Sequence, residues 1–354
     1  MRVSIQHSQH LLRHPARQSQ WLLASMVLLL LLTGCGRPDP MLDIAGPTMG
    51  TYYTVKVARP PHGMTKQTLT AGVETVLAQV ISEISTYDQH SELSRLNQNP
   101  STDWIPISAN LYQVLAEGQR IAALTEGAFD ITIGPLVNLW GFGPERRRDT
   151  PPSAAEIQAA QARVGWRKLE LQAQPAAVRK AQPDLYLDLS ALGEGYGVDQ
   201  LTAWLDAQGV NDYMVAVAGA IRTKGSNAKQ RPWAIAIEEP VADQRAVHRI
   251  IPLADRVVST SGDYRNFFER DGKRYSHEIN PVTGAPVERN LGSVTVIGAV
   301  GMVVDGWATA LMVLGEQRGL ALAEAQHLAA YFIVRDGETF KGIATPAFQT
   351  LLND

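Results

Sequence analysis

Apolar residues recur along this chain with two different periods, and stretches of the two kinds alternate. From Lys66 to Ser85 they fall three and four apart, placing Val73, Val76, Leu77, Val80 and Ile84 on one face, the spacing of an amphipathic helix. Ala109 to Thr125, Ser153 to Val164, Val198 to Gln208 and Val303 to Leu314 read as helices on the same ground. Shorter apolar runs predict strands at Thr51 to Val57, Leu185 to Leu189, Tyr213 to Val217, Trp233 to Ile237, Arg256 to Thr260, Ser293 to Ile297 and Tyr331 to Val334. Their irregular order among the helices predicts an α+β class, with mixed sheets and packed helices. Gly143 to Pro152 is a surface loop by composition, and Arg146, Arg147 and Arg148 within it are either a docking patch or plain solvated charge.

One apolar run belongs to neither pattern. Trp21 to Leu32 is about a dozen residues, too short for a bilayer that needs roughly 20. Arg2, Arg13 and Arg17 precede it without any acid, and Leu32-Thr33-Gly34-Cys35 closes it as a lipobox. We therefore expect a signal peptide over 1–34, lipidation at Cys35, a tether over 35–46 that contains Pro38 and Pro40, and a folded domain over 47–354. The competing readings are an uncleaved signal anchor and a cytosolic protein with a greasy amino terminus. Cys35 is the single cysteine of the 354 residues, so no disulfide forms within the chain, as suits a large core in an oxidising compartment. Loss of the signal's three arginines moves the formal net charge from −3 to −6, which argues against a nucleic-acid partner and against binding acidic lipid by charge alone. Acyl chains on Cys35 would supply attachment to membrane lipid. The expected location is the periplasmic side of a bacterial membrane, with the inner or outer membrane left open.

Candidate chemistry gathers in four places. In Asp184 to Gly197, Leu185, Leu187 and Leu189 alternate with polar partners, which pushes Asp188 to a polar face ahead of Gly193, Gly195 and Gly197. A strand, a glycine turn and a helix start would make an anion site, because uncapped N–H groups point at the ligand. A plain tight turn explains the same residues, and Glu194 would repel a phosphate while suiting a sugar hydroxyl or a ring amine. In Val303 to Ala310, Asp305 and Thr309 stand four apart on one helix face, hard oxygen donors suited to magnesium. The plain alternative is a helix-start aspartate with a packed threonine. Tyr275 to Gly284, with the hydroxyl-rich Ser259 to Asp263 before it, sets His277 beside a turn over Asn280 to Gly284, where it would orient phosphate or move a proton, or serve structure alone. Thr125 to Pro135 passes from a helix end into an extended segment, in which core packing accounts for Phe129.

In chain order, seven segments resemble the ApbE family of FAD:protein FMN transferases. They are Pro47 to Thr51; Tyr87-Asp88 with Ser94 to Asn97; Ala128 to Asp130 with Thr132 to Leu136; Leu187 to Ser190; Thr260 to Tyr264; His277 to Gly284; and Asp305 to Ala310. The likeness spans nearly all of residues 45–345. It implies an α+β fold in which Met49, Tyr87, Ala128, Phe129, Asp130, Asp188, Glu194 and Ile279 contact FAD. It further implies that Asp305, Thr309 and the carbonyl of Ala191 hold Mg2+. The chain departs from many relatives at Glu194, where lysine is common, and at Ala218-Gly219-Ala220, where Gly-Gly-Glu is common.

The reaction implied moves FMN from FAD, as substrate, to a threonine hydroxyl of a partner protein and releases AMP. The family's acceptors are flavin subunits of membrane redox complexes of the sodium-translocating NADH:quinone reductase or Rnf type. His277 and Asp305 are the catalytic candidates. Two other functions stand beside this one: a metal-dependent FAD pyrophosphatase that uses water, and a non-catalytic, lipid-anchored flavin-binding protein.

Overall fold

A computed structural model describes residues 41–353 apart from 146, 147, 149 and 243, so the expected signal segment, the expected lipidation site Cys35 and the expected tether up to residue 40 lie outside the described residues. Eight strands form the main sheet: β1 (Leu42–Thr48), β2 (Thr51–Val57), β3 (Tyr213–Val217), β4 (Ala220–Lys224), β5 (Val257–Gly262), β6 (Leu291–Gly298), β7 (Ala329–Asp336) and β8 (Thr339–Ala344). They lie side by side in chain order, and every pairing is antiparallel. The expected α+β class holds, and the mixture is of helices with sheets rather than of strand directions. Strand β1 corrects the expected tether, whose last residues, 42–46, are folded into the sheet edge. Pro47 is tolerated there because an edge strand leaves one side unpaired.

Both faces of the sheet are covered, and the period-2 pattern of its strands shows why. Along β7, Ala330, Phe332 and Val334 enter one apolar core while Ala329, Tyr331 and Ile333 enter another. The first core is closed by helices α1 (Lys66–Ile84), α2 (Ala109–Leu124), α3 (Ser190–Ala207) and α4 (Gly301–Leu314). The second lies under a separate hairpin, Trp233–Glu238 with Val247–Leu253, and Phe348 of the last helix. Helix α1 starts at a reciprocal Thr65/Thr68 capping box and buries Leu69, Val73, Leu77, Val80 and Ile84, with Val76 only partly covered. Helix α4 is apolar nearly all round and correspondingly buried, which makes Asp305 in its second turn a polar group inside the core.

Three local expectations are overturned. Leu185 to Leu189 is extended but joins no sheet: the side-chain amide of Asn97 takes the place of a neighbouring strand, accepting from the Leu187 N–H at 2.8 Å and donating to its carbonyl at 2.9 Å. The glycines that follow form no turn, since α3 begins at Ser190, eight residues before the expected start, and contains all three. Thr125 to Ile133 is likewise a succession of turns rather than an extended segment.

Candidate active site

Antiparallel neighbours and crossing helices bring the seven segments to one cavity of about 1020 Å³. Met49, Tyr87, Ala128, Phe129, Asp130, Asp188, Ala191, Glu194, His277, Ile279, Asp305 and Thr309 all line it. The residues read from the sequence thus share one space, although they span more than 250 positions.

The floor is built by a match of two repeats. Residues four apart on a helix are separated by about 6 Å along its axis, and residues two apart on a strand by roughly 6.6 Å. Asp305 and Thr309 of α4 accordingly meet Ser259 and Ser261 of β5: the Ser259 hydroxyl donates to Oδ1 of Asp305 at 2.8 Å, and the Ser261 and Thr309 hydroxyls lie 3.0 Å apart. The N–H of Gly195 donates to Oδ2 of Asp305 at 2.9 Å. In a helix that N–H faces the carbonyl four residues earlier, which is Ala191, and Ala191, Asp305 and Thr309 all line the cavity. Gly195 and Gly301 allow this approach, because a Cβ on either would collide with the backbone of the other. Gly195 therefore serves helix contact rather than a turn.

Burial and the charge of Glu194 push the Asp305 carboxyl well above the usual carboxylate range, and burial also raises Glu194. Oε2 of Glu194 accepts the Gly219 N–H at 2.7 Å, fixing the turn between β3 and β4 in which Ala218 has a positive φ of 47°. The residues suit a hard divalent cation. Two hydrogen bonds occupy two of about four lone-pair positions on the Asp305 carboxylate, leaving both oxygens able to bind. A cation would also offset the repulsion between Asp305 and Glu194.

The walls are held by polar groups used for structure. Asp130 accepts from the N–H and hydroxyl of Thr132 at 2.8 and 2.7 Å and from the Trp166 N–H at 2.8 Å, so its carboxylate locks the turns that carry Ala128 and Phe129. Burial raises its pKa against those hydrogen bonds. Oδ1 of Asp188 accepts the Ser190 N–H at 2.8 Å and steadies the start of α3. Met49 and Gly50 turn the β1–β2 hairpin with φ of 48° and 72°, a conformation that a non-glycine residue adopts at a cost, and Met49 faces the cavity. Tyr87, 65% exposed, forms the rim, tied by its hydroxyl to the carbonyl of Phe142 at 2.9 Å.

His277 follows a short hairpin, Phe267–Arg270 with Lys273–Ser276, whose Phe268 and Tyr275 stack on Phe142 and Trp140. Its Nδ1 lies 3.1 Å from the carbonyl of Asn266, an acceptor that requires the proton on Nδ1 and leaves Nε2 bare. The side chain is 37% accessible because the cavity reaches its edge, while the protein around the ring lowers its pKa by desolvation. Sequence reasoning gave no separate role to Ser259, Ser261 or Glu278 and did not single out Arg265, all of which bear on this cavity. The signal for the serines was their spacing of two on a strand.

Residues 49–332 match the model of the ApbE family. The chain is 45% identical over 333 residues to the FAD:protein FMN transferase of Vibrio cholerae, covering 94% of this chain and 99% of that protein. To the FAD:protein FMN transferase of Haemophilus influenzae it is 41% identical over 332 residues, covering 92% and 96%. The solved structure of the flavin transferase ApbE from Vibrio cholerae superposes with a TM-score of 0.81 at 44% identity, covering 88% of this chain and 98% of that one. A shared cavity assembled from seven separated stretches, a family match over most of the length and a common fold have one meaning: the chain belongs to the ApbE family.

Proposed function

We propose that the protein is an FAD:protein FMN transferase that moves the FMN part of FAD to a threonine hydroxyl of an acceptor protein and releases AMP. The observation that carries this reading is the junction of Asp305 and Thr309 with Ser259 and Ser261 at the base of a cavity large enough for a dinucleotide. Asp305, Thr309 and the Ala191 carbonyl would hold magnesium, which when bound supplies positive charge against the diphosphate oxygens. Met49, Tyr87, Ala128, Phe129, Asp130, Asp188, Glu194 and Ile279 form the walls against which FAD lies. His277, with Nε2 bare, takes the proton of the attacking hydroxyl.

Lipid on Cys35 would keep this site at the periplasmic face of a membrane, where flavin subunits of sodium-translocating NADH:quinone reductase or Rnf complexes present their threonines. The test is mass spectrometry of such a subunit after incubation with the protein, FAD and magnesium chloride. A mass gain of one FMN that is absent with Asp305→Ala supports the transferase. Free FMN and AMP formed without any acceptor would instead mark a pyrophosphatase. Labelling with palmitate that is lost on Cys35→Ala tests the anchor.

A further inference from the structure

Glu278 follows His277 directly, lines the same cavity and is 5% exposed. Its Oε1 stands 3.8 Å from Nε2 of His277, too far for a hydrogen bond and near enough for a carboxylate to act on an imidazolium there. Among the described residues no protein group hydrogen-bonds its carboxyl, so nothing in the fold uses it as a clamp, unlike Asp130, Asp188 and Asp305. The backbone of Glu278 is fixed by its carbonyl, which accepts the Val287 N–H at 2.7 Å. His277 is fixed on its far side, where the Asn266 carbonyl faces Nδ1. Of the other charged groups, Asp263, just past the end of β5, acts on both residues, and Glu194 of α3 acts on His277. Arg335 grips Asp263 through two bonds of 2.6 and 2.9 Å, and Arg265 acts on Glu194.

We propose that Glu278 is a positioning residue for flavin transfer: its carboxylate acts through His277, stabilising the imidazolium that forms when Nε2 takes the proton of the acceptor hydroxyl. This rests on the transferase reading. In the reactive form Glu278 is ionised and His277 is neutral. The acceptor O–H bond breaks and its proton goes to Nε2. The acceptor oxygen bonds to the phosphorus of the FMN part, and the bond from that phosphorus to the AMP oxygen breaks, with the electron pair leaving on AMP. Burial and the charge of Asp263 push Glu278 up to about 8, so the reactive form fills as pH rises through that value.

The experiment follows the His277 ring by NMR across pH in the full chain, with His277→Gln to identify its signal. Two steps are expected in the unaltered protein, the upper one tracking Glu278, and a single step in Glu278→Gln. In parallel, transfer from FAD to a purified flavin subunit of a sodium-translocating NADH:quinone reductase is timed with magnesium chloride. Glu278→Gln is expected to lower kcat about tenfold, with the KM for FAD within about twofold, and to remove the acid limb near pH 8. Glu278→Asp keeps the charge and restores part of the rate, and Glu278→Ala carries the charge-free comparison if the glutamine variant does not fold. One identical His277 titration in both proteins, or an unchanged kcat, overturns the assignment. If the unaltered protein leaves the subunit unmodified, the transferase reading fails, while the His277 titration still decides whether Glu278 governs that ring.

Discussion

Gly195 of α3 and Gly301 of α4 meet backbone to backbone: a Cβ built on Gly195 would overlap the Gly301 carbonyl, and one built on Gly301 would overlap that of Gly195. Neither glycine has a positive φ, so close approach rather than backbone freedom requires them. The contact also sets the reach of the Gly195 N–H to Asp305.

Replacing Gly195 with alanine is expected to force the helices apart. Overpacking of this kind costs about 1–3 kcal/mol, visible as a lower urea midpoint at unchanged slope. Because Asp305 loses its alignment with Gly195, transfer should slow by more than the loss of folded protein explains. A variant of full stability and full rate would contradict the role given to this contact.

Asn97 ties the segment that carries Asp188 to the neighbouring helix, through both the N–H and the carbonyl of Leu187. Asn97→Ala leaves two backbone groups without partners, at about 1–3 kcal/mol each where water does not replace the amide. The loosened segment should raise the KM for FAD while kcat changes little, since no group of Asn97 touches the cavity base. Steady-state kinetics with FAD varied would separate the two parameters.

These two relationships mark where sequence reading succeeds and where it stops. Thr51 to Val57 and Tyr213 to Val217 were legible to the residue because their alternation is satisfied by neighbouring strands of the same sheet. Leu185 to Leu189 alternates in the same way, yet its partner is a side chain 90 positions away, which no local pattern reveals. Gly193, Gly195 and Gly197 read as a turn because glycine is poor in helices; the reason for Gly195 lies in Gly301, distant in sequence. Asp305 with Thr309 was visible as a helical spacing, and the family pattern placed the rest, while Ser259, Ser261 and Glu278 acquire meaning only from what packs against them.

A buried carboxyl with a raised pKa makes stability depend on pH in a definite direction. Between its ordinary value near 4.5 and about 8, the folded protein holds a proton on Glu278 that the unfolded chain has released. Stability therefore falls as pH rises through that window, by at most about 1.4 kcal/mol per pH unit from this group. Glu278→Gln removes the titration, so its unfolding free energy should fall less steeply over the same range. Parallel curves for the two proteins, measured by denaturant unfolding with chelator present, would show that Glu278 ionises alike in both states.

Ser259 and Asp305 offer a graded test of the cavity floor. The Ser259 hydroxyl donates one hydrogen bond to a carboxylate that also accepts from Gly195, so Ser259→Ala leaves Asp305 in place with one support fewer. Asp305→Asn keeps the shape and removes the charge. If that charge holds magnesium, the asparagine variant should lose about a hundredfold or more in kcat, the scale on which a single preorganised electrostatic group acts, and Ser259→Ala should lose far less. Calorimetric titration with magnesium chloride checks the same ranking without any turnover: strong weakening for Asp305→Asn, slight weakening for Ser259→Ala. Chelator should silence the unaltered protein and leave nothing further to lose in Asp305→Asn. Equal magnesium binding by all three proteins would mean that the cation, if one acts, sits elsewhere, and that Asp305 serves only to join α3, α4 and β5.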